Sequence, residues 1–146
     1  MMAGRNRLFV RRRDGRVEVR LNDLGRATAR EAFGHVVAAE RDPDHDWHSS
    51  LNGPIDPGRD QDDPVATLNR QQDISTNAEL AVMTLNEEFL NDAEAWAWLT
   101  TLQLALRSTA LAKGLLTDER LAACDDETLT YIHTLQQFLF ELADCF

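Results

Sequence analysis

The sequence predicts a mainly α protein, a helical bundle of four to five helices with an N-terminal β-hairpin packed on it, in a single domain over residues 1–146. Three observations carry this reading. Apolar residues recur at spacings of three and four through most of the chain beyond residue 22. An Asp14-Gly15 pair near the start lies between two alternating runs. A length of 146 residues suits one domain with a core of its own.

The first element is a hairpin over 7–21. Asp14-Gly15 suits a two-residue type I′ turn, which sets Arg11 opposite Glu18 and Phe9 opposite Arg20. In that register Leu8, Val10, Val17, Val19 and Leu21 share the buried face, and Phe9, Arg11, Arg13, Arg16, Glu18 and Arg20 share the outer one. A helix over 22–40 follows, capped by Asn22, with Ala29, Ala32, Phe33, Val36 and Val37 as its buried stripe and His35 off it.

Residues 41–63, rich in Pro, Gly and Asp, read as a long acidic surface loop. Asp42, Asp44 and Asp46 alternate as the first ligands of an EF-hand loop do, but Trp47 and Gly53 occupy the positions that need Gly and Glu. His45 and His48 beside these aspartates are the remaining metal candidates. A solvated loop explains the same residues, so the expectation is no metal and no cofactor.

The remaining helices fall within 64–146. Asp63-Pro64 marks a helix start, and Thr76 with Glu79 is a second capping-box candidate, leaving one helix or two. Ile74, Ala78, Ala81, Val82, Leu85 and Phe89 form the buried face there. The stretch 91–114 reads as the central helix, capped by Asn91 and Glu94, with Ala95, Trp98, Leu99, Leu102, Ala105, Leu106 and Ala110 on one face and Thr100, Gln103 and Arg107 as a polar ridge. Trp96 and Trp98 read as rim and core packing. After a short segment starting at Thr117, Asp125 or Asp126 opens the last helix, whose stripe is Ile132, Leu135, Leu139, Leu142 and Phe146, apt for antiparallel packing on the central helix.

Composition narrows the function classes. Cys124 and Cys145 have neither zinc-like nor redox-like spacing, and no signal-peptide or membrane-span pattern occurs, which points to a soluble, reduced, cytoplasmic protein. The net charge of −10 is split: residues 1–41 carry ten Arg against five acids, and residues 42–146 carry five Lys or Arg against twenty. Such a split suits either a basic end laid on the acidic body or a patch that docks a partner.

The layout resembles an uncharacterised actinobacterial family catalogued as a domain of unknown function. The resemblance rests on LFVRRRDGRVEVRLND (8–23), AWLTTLQLALR (97–107) and TLQQFLFEL (134–142). The chain departs from it at Gln103, Leu104, Ala105 and Leu106, where the family often has Asn-Asp-Leu-Arg, and at Gly25, where it often has Glu. Family members look cytoplasmic and are often encoded beside the ClpS adaptor of ATP-dependent proteolysis, which implies a link to protein quality control.

No activated Ser or Cys arrangement, phosphate-cradling Gly loop or helix with paired ligands is present, so the expectation is not an enzyme. The favoured function is a non-catalytic, cytoplasmic protein-interaction or regulatory module whose docking surface is the basic hairpin, through Arg11, Arg12, Arg13, Arg16 and Arg20, or the acidic loop. A nucleic-acid regulator binding through the same arginines is one alternative, disfavoured because the acidic body repels phosphate. A metal-dependent hydrolase using 42–48 is another. Self-association through Phe138, Phe140 and Phe146 is the fourth expectation.

Overall fold

A computed structural model describes residues 7–42, 44, 64–112 and 125–146, without the side chains of 64–71 and 111–112. Along the chain lie β1 (Phe9–Arg11), β2 (Val17–Val19), α1 (Asp23–Arg41), α2 (Pro64–Met83), β3 (Phe89–Leu90), α3 (Asp92–Ala112) and α4 (Asp126–Ala143). The described residues thus form four helices and one small sheet, as the sequence predicts in class. No helix among them is long and apolar enough to cross a membrane.

Local chemistry sets the helix starts. Asn22 Oδ1 accepts from Gly25 N–H at 2.7 Å, and Asp125 Oδ1 accepts from Thr128 N–H at 2.6 Å. At α3 the capping box is reciprocal: Glu94 N–H donates to Asn91 Oδ1 and Asn91 N–H donates to Glu94 Oε1, both at 2.8 Å. The short segment expected from Thr117, Cys124, and the last two residues of the expected 91–114 helix lie outside the described residues.

Trp98 of α3 is fully buried where several elements meet. Its ring meets Phe33 of α1 edge-on at 5.1 Å and Phe9 of β1 at 6.1 Å. Its Nε1–H donates to Thr84 Oγ1 at 2.7 Å, just past the end of α2. One side chain therefore joins α1, α2, α3 and the hairpin. On another flank of α3, Ala97, Thr101 and Ser108 are buried, while α2 buries Ala78 and Ala81. Side chains this small allow close helix approach. α4 lies antiparallel to α3: Trp96, near the start of α3, meets Phe146, while Leu106 and Ala110 share a groove with Ile132 and Leu139.

The hairpin differs from the expected register by one residue. Phe9 faces Val19, Val10 faces Glu18 and Arg11 faces Val17. Arg12 N–H donates to Arg16 C=O at 2.8 Å, Gly15 N–H donates to Arg12 C=O at 3.1 Å, and Gly15 has φ +91°. This is a three-residue loop, a turn closed by a left-handed glycine, in place of the two-residue turn. The extra residue reverses the faces of β1 relative to β2. Phe9 goes inward and is 1% exposed, and Val10 is turned out. The larger ring removes more apolar surface from water than Val10, and in this register it reaches both Trp98 and Phe138. The expected Arg11–Glu18 pair and the Phe9–Arg20 neighbourhood are therefore absent among the described contacts.

Further expectations are corrected. α2 is one continuous helix, so Thr76 and Glu79 are interior to it and cap nothing. It ends at Met83 in successive turns, and Phe89 belongs to β3, which pairs antiparallel with β2 through Val17–Leu90 and Glu18–Phe89. In α4, Phe138 is buried with Ile132, Leu135 and Leu142, whereas Phe146 is half exposed and Leu139 only partly covered. Phe9 supplies the reason, because it fills the position that draws Phe138 inward. In α1 the fifth buried position is Ala39, with Val37 partly covered.

Candidate functional site

The exposed chemistry gathers at the hairpin end of the molecule, where β1 and its turn meet the start of α3 and the end of α4. Arg11 has the parity of the sheet's inner face but stands at its rim, so its side chain runs along the edge. Its Nε–H donates to Cys145 C=O at 2.8 Å, and Nη1 donates to Asp92 Oδ1 at 2.7 Å and to Gly15 C=O. The guanidinium carbon sits 5.6 Å from the centroid of the Phe146 ring. Asp92 is the first residue of α3, where a carboxylate also suits the helix dipole. Arg11 thus brackets the turn, α3 and the end of α4.

Beside this bracket Trp96 and Phe146 meet edge-to-face at 6.1 Å, each 53% exposed. Phe140, on the same terminal part of α4, is 67% exposed. Large aromatics left in water yet fixed against a neighbour are unusual on a solvated face and frequent in interaction surfaces.

The other arginines divide by position. Arg12 and Arg20 share Glu18, at 3.3 and 3.2 Å, on the outer face of the sheet. Arg16 pairs with Asp14 at 2.7 Å and lies over the Phe89 ring at 4.2 Å. The side-chain hydrogen bond from Arg16 holds the Asp14 carboxyl below its ordinary range, so this acid stays ionised at neutral pH. Arg13, at the turn, is exposed and has no ion-pair partner among the described residues. Arg11, Arg12, Arg13 and Asp14 line an open cleft of about 390 Å³. Of the five arginines singled out in the sequence, three therefore line one cleft, while Arg16 and Arg20 are not among its described lining residues.

The metal candidates cannot be assembled from the described residues: Asp42 and Asp44 are exposed, and Asp44 N–H donates to Asp42 Oδ1 at 3.0 Å in a local turn, while His45, Asp46 and His48 lie outside them. Among the described residues no three His, Cys, Asp or Glu come together in a metal-binding group. Cys145 is buried, and burial pushes its thiol pKa up, which lowers its thiolate fraction. Tyr131 is pushed up to about 12 by burial and, secondarily, by the charge of Glu31.

Trp96 reads in the sequence as rim packing, and Phe146 both as part of a buried stripe and as a self-association residue; the structure leaves both half exposed and pairs them. A signal for Trp96 was present. Two residues apart on a helix is about 200° of rotation, so Trp96 and Trp98 cannot enter one core together. No family model, curated protein or solved structure matches this chain.

Proposed function

We propose that this chain is a non-catalytic, cytoplasmic protein-interaction module that docks a partner on the hairpin end, and that it serves protein quality control as the family resemblance implies. The observation that carries this reading is the half-exposed Trp96–Phe146 pair, fixed in place by Arg11. Trp and Arg are the residues over-represented where interfaces concentrate their energy, and a pair already ordered in the free protein loses little entropy on docking.

Nucleic acid is the weaker occupant of the same arginines. Glu18 sits between Arg12 and Arg20, Asp14 holds Arg16 and Asp92 holds Arg11, so most of the positive charge is met before any phosphate arrives. A metal-dependent hydrolase would rest on His45 and His48, which lie outside the described residues.

Affinity capture from host lysate with wild-type protein, Trp96→Ala and Arg13→Glu, scored by mass spectrometry after nuclease treatment, tests the reading. The expected result is a protein partner lost from both variants. A partner profile unchanged by either substitution, or one abolished by nuclease, would contradict it.

A further inference from the structure

We infer that the occupant of the hairpin end is a short acidic peptide segment carrying a large apolar side chain beside its carboxylates. The inference rests on the docking reading above and names the chemistry of the partner.

Charge is the first argument. Among the described residues the cleft is lined by Arg11, Arg12, Arg13 and Asp14, and the Asp14 carboxylate is already held by Arg16. Arg11 is also satisfied, by Asp92 and two carbonyls. What the cleft offers an incoming group is Arg13, which lacks an ion-pair partner among the described residues, and Arg12, which shares its only described carboxylate with Arg20. A planar guanidinium takes a carboxylate through two parallel hydrogen bonds, so these two side chains suit one or two Asp or Glu residues.

The surroundings restrict the length of the anion. Asp92 is bonded to Arg11 at 2.7 Å and Glu18 to Arg12 at 3.3 Å, so acids stand at two of the cleft's own arginines. A phosphodiester chain crossing the cleft would meet these acids on leaving it. One or two carboxylates confined to the cleft would not. This favours a peptide over a nucleic acid.

Adjacency is the last argument. Arg11 lines the cleft and also lies 5.6 Å from the centre of the Phe146 ring, so the basic cleft and the aromatic pair share a border. The aromatic pair supplies apolar area and the cleft supplies direction.

The test uses fluorescein-labelled peptides with an Asp-Glu pair, a Gly-Ser spacer and a Leu-Phe pair, titrated with full-length protein by anisotropy. Controls replace Asp-Glu by Asn-Gln or Lys-Lys, or Leu-Phe by Ser-Ser, and one probe is a single-stranded oligonucleotide. Wild type should bind the first peptide, and each control peptide should bind at least about tenfold more weakly, as should Trp96→Ala and Arg13→Glu with unchanged circular dichroism. Equal or tighter binding of the Asn-Gln or Lys-Lys peptide overturns the inference, as does an oligonucleotide bound more tightly than the peptide. If no peptide binds while lysate capture still depends on Trp96, the acidic-segment inference fails and the docking reading stands. If neither responds, both fail.

Discussion

Thr84 gives the only described hydrogen bond to the indole N–H of Trp98, in a site from which water is excluded, and its own hydroxyl donates to Leu80 C=O at 2.9 Å. Thr84→Val keeps the shape and leaves a buried donor unpaired, so it should cost about 1–3 kcal/mol in urea denaturation. The opposite outcome is expected about one turn past Trp98 in α3. The hydroxyls of Thr101 and Ser108 are buried without a hydrogen-bond partner among the described residues. Thr101→Val removes a desolvated polar atom at nearly constant volume and should leave stability unchanged or raise it by about 1 kcal/mol in the same assay. A loss larger than about 1 kcal/mol would mean that the hydroxyl is bonded in solution. Tyr131, the only tyrosine in the chain, permits a third test. Its phenol, pushed up to about 12 from 10.0 by burial, should titrate in ultraviolet absorbance near that value in the folded protein and near 10 in denaturant. The raised value means that the folded state holds the proton more tightly. Stability from this group is complete below pH about 10 and falls as pH rises from there through the folded value.

Elements with local causes were legible, and elements with distant causes were not. Asn22, Asn91 with Glu94, and Asp125 cap helices because an oxygen three residues before an unpaired N–H suffices, whatever surrounds it. The hairpin register depends instead on which of Phe9 and Val10 finds a core, and Trp98, almost ninety residues further on, decides it. β3 gave no periodic signal, because two residues are too few for a pattern and their pairing is borrowed from β2. Thr76 and Glu79 resembled a start signal because they have the right spacing, yet helix continues through them. The three-residue turn also makes a prediction. At φ +91° an L residue is strained, so Gly15→Ala should destabilise the protein by about 1 kcal/mol or slightly more although nothing lies within 4 Å of the added carbon. A melting temperature equal to wild type would imply that the turn adopts another geometry.

At the scale of the whole molecule, the split charge seen in the sequence has a partial internal use. Arg11 reaches Asp92 of α3, and Arg41 is paired with Glu79 of α2, so part of the basic end is spent on the acidic body. Arg13 is left without an ion-pair partner among the described residues, and Trp96 and Phe146 stay half exposed. The basic half of the candidate site could be read from the sequence because arginine runs are conspicuous. Its aromatic half is legible only in part: Phe140 and Phe146 read as a self-association surface, but Trp96 joins Phe146 only when α4 packs antiparallel to α3. Lysate capture with wild type, Trp96→Ala and Arg13→Glu measures this account most directly. It predicts a nuclease-resistant protein partner retained by wild type and lost from both variants at unchanged melting temperature. Identical capture by all three proteins would contradict it.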